Sequence, residues 1–261
     1  MPIKKLADYF ARPLVLPFLW ALLASSVVCT ALYIWVYGVN IPFWDEWIVI
    51  DMIRRHCDGL YKWPQIWGQH NEHRLVWPKI FFLSEYCLLG NHYPKACMFV
   101  CLGLLSAIMP FMLSALSATL PDTSRRLRLF LFIPIAWLLV SIRQFENLLW
   151  GFQVTFVSVA FFAVAVFWTL ARFSSAENKA GRLLLFLAAV VLSILSSLSS
   201  AMGLFVWVAG CIMFLGSRGK RLLWAVSWLI LAVAMWLVYF NGYQKPPNHP
   251  ALANIFMQPL D

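Results

Sequence analysis

From Leu14 to Tyr37 the chain carries no charged side chain, and apolar runs of the same kind recur as far as Phe240. A helix needs about 20 apolar residues to cross the hydrocarbon core of a bilayer. Inside lipid every backbone N–H and C=O must find its partner within the protein, which turns continuous apolar runs into helices. Composition agrees, with 12% charged and 62% hydrophobic residues, where a soluble domain is about a quarter charged. The fold expected is therefore all-α: a polytopic membrane protein whose residues 1–261 form a single membrane domain. Seven apolar segments can be marked, at 14–37, 95–119, 128–143, 152–172, 183–198, 202–216 and 221–240. The first is too long, and lacks the small-residue cleavage site, for a removed signal peptide, and is read as a retained helix. The fifth and sixth are joined only by the polar string Ser196–Gly203 and read either as two short spans or as a re-entrant pair.

The net charge of +9 raises a nucleic-acid reading, and the placement of the charges opposes it. With the N-terminus in the cytoplasm, Lys4, Lys5, Arg12, Arg125, Arg126, Arg128, Arg172, Lys179, Arg182, Arg218, Lys220 and Arg221 all fall inside. Clustering in short segments on one side is the positive-inside signal of membrane topology. Carboxylates divide the other way. Asp45, Glu46, Asp51, Asp58, Glu72, Glu85 and Glu146 fall outside, and only Asp8, Asp122 and Glu177 inside, with Asp261 at the end of the chain. The six cysteines form no metal-ligand spacing; Cys97 and Cys101 read as small core residues of an apolar helix.

Residues 38–94 form the long first extracytoplasmic loop, and long connections usually carry function. Within it, 47–60 has helical apolar spacing and reads as an amphipathic surface helix, and 77–90, opened by Pro78, as a second. Trp44, Trp47, Trp63, Trp67 and Trp77 suit an interfacial aromatic belt, and equally a set of sugar-stacking rings.

Three polar groups stand out. Asp45 and Glu46 are adjacent carboxylates at the point where the chain leaves the first apolar run. His70-Asn71-Glu72-His73-Arg74 is not the zinc-protease arrangement, because its histidines are three apart; on a helix His70, His73 and Arg74 would share a face. This cluster reads as a polar knot that fixes the loop, or, with Asp45, Glu46 and Glu72, as a divalent-metal site for Mg or Mn. Arg143, Gln144, Glu146, Asn147 and Gln153 are crowded between two apolar segments, where charge is costly unless it faces protein or a wet cavity. Lys245 and His249 lie in a Pro-rich stretch that can reach the same cavity.

An N-terminal helix followed at once by an acidic pair, then a long loop with two surface helices, resembles the GT-C superfamily of membrane glycosyltransferases. The chain is similar in particular to bacterial multi-spanning proteins that carry a PFWDEW motif, here Pro42–Trp47, and an HNEHR motif, here His70–Arg74. The likeness is best over the first 95 residues. It implies a bacterial inner-membrane protein that moves a sugar from a polyprenyl-phosphate donor to an acceptor hydroxyl on a glycan, lipid or protein, with inversion, at the extracytoplasmic face. It implies Asp45 as the base beside Glu46, Glu72 as a second acidic position that helps bind metal in some members, and the other residues as contacts of substrate and lipid phosphate: His70, His73, Arg74, Arg143, Glu146 and Lys245. Members usually continue past a seventh span, whereas this sequence stops at Asp261, so the resemblance leaves three readings: a truncated product, a stand-alone core, or one half of a split enzyme.

Two other readings compete. One is a non-catalytic protein that binds a lipid carrier or a partner. The other is a transporter, opposed by spans nearly free of the mid-depth ionisable residues that transport uses.

Overall fold

A computed structural model describes residues 13–215 and 220–246, the side chain of Lys220 excepted. Lys4, Lys5, Asp8, Arg12, Arg218, His249 and Asp261 lie outside the described residues. Every regular element among those described is helical. Six stretches are long and apolar enough to cross a membrane: Val15–Tyr37, Pro94–Thr119, Arg125–Leu148, Gly151–Ser175, Lys179–Ser197 and Arg221–Phe240. The expected seventh, Ala201–Met213, is apolar but short. It is set off from the preceding helix by Ser200, which is extended (φ −166°), and Gly203 is pressed against that helix, where a Cβ would meet the Ser196 carbonyl oxygen.

In chain order the helices are α1 (Val15–Tyr37), α2 (Glu46–Cys57), α3 (Trp63–Trp67), α4 (Val76–Leu89), α5 (Pro94–Thr119), α6 (Arg125–Leu139), α7 (Phe145–Leu148), α8 (Val154–Ser175), α9 (Lys179–Ser197), α10 (Phe205–Met213) and α11 (Lys220–Phe240). Local chemistry sets several boundaries. Ser124 Oγ accepts the Leu127 N–H at 3.3 Å and starts α6, and Asn178 Oδ1 accepts the Gly181 N–H at 2.6 Å and starts α9. Gly59 and Gly90, at φ 70° and 72°, turn the chain after α2 and α4.

The centre of the bundle is α8, half of whose residues are inside, packed between α5 and α9. Lipid tails are as apolar as leucine, so helices here associate through close packing and hydrogen bonds rather than hydrophobic transfer. Ala189, Ser193, Ser196 and Ser197 supply that close approach on α9. The hydroxyls of Ser193 and Ser197 donate back to the carbonyls of Ala189 (2.8 Å) and Ser193 (2.9 Å), and Trp207 Nε1 donates to Ser197 Oγ at 3.0 Å. This serine run is packing. Thr30 Oγ1 links α1 to the end of α6 through the Val140 carbonyl at 2.7 Å.

The segment between α1 and α5 folds back over one end of the bundle. Trp77 N–H donates to the Leu198 carbonyl at 3.0 Å, and Arg74 reaches Tyr239 and Asn241. Two of its helices match the expected ones, with α2 burying Val49, Met52 and Ile53 while Arg54 and Arg55 pair with Asp51 on its exposed side. The third, α3, is a single turn opened by Pro64. Rather than resting on the surface, α4 inserts Phe82, stacked on Phe152 with centroids 6.1 Å apart, into the main core. At the opposite end of the bundle Arg221 Nη2 donates to the Ser174 carbonyl at 3.0 Å, Arg172 Nη2 to Ser114 Oγ at 3.1 Å and Arg128 Nη1 to the Ser117 carbonyl at 3.2 Å.

Candidate functional site

The two adjacent carboxylates have opposite surroundings. Glu46 is 1% exposed and is the first residue of α2. Its Oε2 accepts the Phe43 N–H at 2.9 Å, closing the turn that leads into the helix. The Phe43 carbonyl accepts from Trp150 Nε1 at 3.1 Å, so Phe43 is pinned at both backbone groups. Trp44 between them has φ 47°, rare for so large a side chain, and such strain persists only where the surroundings impose it. The tight turn throws Glu46 inward and Asp45 outward. The Asp45 side chain is 41% exposed, with Oδ2 3.7 Å from His70 Nε2.

His70 belongs to a tight turn, not to a helix. His70 and His73 exchange backbone hydrogen bonds of 2.8 Å each, and Asn71 takes φ 48° at the bend. The His70 ring meets the edge of Phe152 and the His73 ring that of Phe156, with centroids 6.1 and 5.9 Å apart. His73 Nδ1 accepts the Ala201 N–H at 3.4 Å, and its Nε2 lies 3.6 Å from Glu72 Oε1. Burial lowers the His70 pKa, with the Asp45 carboxylate working the other way.

Arg74 is 3% exposed. Its guanidinium donates to the carbonyls of Tyr239 (2.6 Å), Trp67 (3.0 Å) and Asn241 (2.6 Å) and lies over the Trp67 ring. Lys79 Nζ does the same for α3, donating to the carbonyls of Gln65, Ile66 and Gly68 at 3.0, 3.2 and 2.6 Å. Burial, with the Arg74 charge second, draws the Lys79 amine down to about 8. Nothing in the sequence spacing marks Lys79 as a carbonyl clamp.

On the far side of the turn, Gln69, Asn71, Arg74, Gln244 and Lys245 line a polar cleft of about 520 Å³. The Gln69 amide closes one wall, donating to the Gln244 carbonyl at 2.6 Å and accepting its N–H at 3.1 Å. Asp45 and His70 do not line this cleft, which holds Lys245. Arg143 and Glu146 are exposed on the turn 142–148. Among the described residues the group with metal-binding spacing is Glu85, His92 and Cys97; Asp45, Glu46 and Glu72 are not gathered in that way.

Two substitutions test this construction. Burial pushes the Glu46 carboxyl above its ordinary value, against the pull of the Phe43 N–H and the His92 charge. A raised folded-state pKa gives stability that is full below the unfolded value and is lost as pH rises through the folded one. Glu46→Gln keeps an acceptor for Phe43 but does not titrate. Its melting temperature relative to wild type is therefore expected to climb as pH rises from below 4.5, the ordinary value, to neutrality. A flat difference across a detergent thermal-melt series would remove the buried acid from this account. A Cβ on Gly151 would meet Glu46 Oε1 at 2.5 Å, the Pro94 carbonyl oxygen at 2.7 Å and Cys97 Cβ at 2.9 Å. Gly151→Ala is expected to cost about 2 kcal/mol by overpacking, read from the same melts.

No family model matches the chain, and no curated protein or solved structure matches it.

Proposed function

We propose that this chain is a membrane glycosyltransferase of the GT-C kind in the bacterial inner membrane, with the N-terminus cytoplasmic and the 38–94 loop extracytoplasmic. It moves a sugar from polyprenyl phosphate to an acceptor hydroxyl. The observation that carries the reading is the splitting of the acidic pair: Glu46 is enclosed and holds the Phe43 N–H, and Asp45 stands exposed beside His70. Inverting transfer needs one carboxylate in reach of the attacking hydroxyl. The acceptor oxygen forms its bond to the anomeric carbon, its proton passes to Asp45, and the bond to the phosphate oxygen breaks, releasing polyprenyl phosphate. The leaving phosphate needs cationic help, and Lys245 in the cleft across the turn is the cation suited to give it. Arg74 supports the cleft through carbonyls.

The same reading takes Ala201–Met213 as a seventh crossing. Trp77 binds Leu198 on the loop face, Arg221 binds Ser174 on the opposite face, and Arg74 binds Asn241 on the loop face again. Contacts of Leu198 on one face and of Arg221 on the other support this reading. The basic residues at that opposite face fit a cytoplasmic side.

The test uses purified protein in lipid nanodiscs with polyprenyl-phosphate sugars, following donor binding and release of polyprenyl phosphate, with and without Mg2+ or Mn2+. The expected result is sugar-dependent release in wild type and none in Asp45→Asn, with donor binding kept in both. Binding without release in wild type would replace the enzyme by a carrier-binding protein. No binding in either would overturn the lipid-sugar reading and favour transport.

A further inference from the structure

Behind the exposed turn lies a second cluster of titratable side chains that glycosyl transfer does not use. Glu85, in the last turns of α4, is 8% exposed, His92 is 5% exposed and Cys97, in the first turns of α5, is fully enclosed. One donor atom from each lies within 4.8 Å of the others. Part of the cluster has an ordinary explanation. Glu85 Oε1 accepts the Tyr93 N–H at 2.9 Å and Oε2 meets His92 Nδ1 at 2.6 Å, which ties the end of α4 to the start of α5.

That pairing leaves polar atoms over. His92 Nε2 is buried and has no hydrogen-bond partner, on a side chain with no exposed surface. Glu46 Oε1 is likewise buried and unpartnered, and it and Cys97 Cβ both lie within 2.9 Å of the place a Gly151 Cβ would take. Two buried carboxylates, an imidazole and a thiol thus share one enclosed region. Buried charge is costly unless it is paired or coordinates a metal.

We propose that Glu85, His92 and Cys97 form a buried three-ligand site for a divalent transition metal, zinc first among them. The donor set decides the ion. Sulfur and imidazole nitrogen with one carboxylate suit zinc, whereas magnesium and calcium take oxygen alone. The charges close: on binding, Cys97 loses its thiol proton to solvent, and the thiolate with the Glu85 carboxylate balances the dication beside an uncharged imidazole. Three ligands from α4, the connecting turn and α5 would lock the corner that carries Phe82 into the core. This site is separate from the glycosyltransferase reading, and its readout is metal content, not transfer.

The experiment measures zinc by mass spectrometry in protein purified from zinc-supplemented cells, and the absorption spectrum after exchange into cobalt. Wild type and Cys101→Ser, a buried cysteine outside the cluster, are expected to carry stoichiometric zinc and to show a near-ultraviolet thiolate-to-cobalt band. Cys97→Ser is expected to lose the band, and His92→Gln to lose zinc by about tenfold or more. Wild type with no more zinc than His92→Gln, or a cobalt band that persists in Cys97→Ser, would overturn the site. Should a variant fail to fold, the wild-type zinc content and band decide alone, because the absence of both overturns it.

Discussion

Asp45→Asn is expected to abolish transfer while leaving the melting temperature where it is, and Glu46→Gln to do the reverse. The exposed Asp45 carboxylate makes no side-chain cap, and its Oδ2 lies 3.7 Å from His70 Nε2. Asparagine fills the same volume and keeps a hydrogen-bonding oxygen, so donor binding and fold survive. It does not take a proton, and loss of a positioned base costs about 10²–10⁴ in rate. Glu46→Gln keeps the Phe43 N–H bond and hence the turn that presents Asp45; its turnover is expected to stay within about tenfold of wild type, below the range a lost base spans. Release of polyprenyl phosphate, measured beside donor binding and melting, separates the cases. If Glu46→Gln removes turnover and Asp45→Asn leaves it, the roles of the pair are inverted and the turn has been misread.

That difference between neighbours was beyond the reach of the sequence. Asp45 and Glu46 are equivalent as letters, and what divides them is a backbone angle at Trp44 and two hydrogen bonds on Phe43, one of them from Trp150. Long apolar helices were legible because their signal is local: a run without charge must be helical in lipid wherever its neighbours lie. The apolar stretch at 202–216 was legible too, but its short length and its separation from α9 at Ser200 were not, because they follow from the contact of Gly203 with Ser196. The placement of α4 likewise depends on Phe152 accepting Phe82 from far along the chain. His70–Arg74 was recognised as polar and taken as helical or knotted; the turn arises from backbone bonds that residue type does not specify. The pairing of Glu85 with His92 was hidden for the opposite reason. Each is unremarkable in its own stretch, and they become a pair only when Gly90 turns the chain between them.

The largest stability effect is expected from Arg74→Ala. The last carbonyls of a helix have no partner within it, and a cation at that end is favoured by the helix dipole. Arg74 meets both needs of α11, with Nε on the Tyr239 carbonyl and Nη2 on that of Asn241, while Nη1 holds Trp67 after α3. It also joins segments from opposite ends of the sequence, since its own N–H donates to the Tyr239 hydroxyl at 2.9 Å. Alanine would strand three acceptors at a site that is 3% exposed. Each buried acceptor left bare costs about 1–3 kcal/mol, and water entering the gap recovers part, so the net loss is expected near 4 kcal/mol. Arg74→Lys keeps the charge without the planar fork; it is expected to recover less than half of that. Tyr239→Phe removes the single N–H to hydroxyl bond and is expected to cost about 1 kcal/mol. Thermal or denaturant unfolding in detergent ranks the three. The opposite pattern, unchanged stability with weakened donor binding in Arg74→Ala, would return Arg74 to the lipid phosphate. The order predicted here makes it the clamp that seats the loop, and with it Asp45, on the end of the last helix.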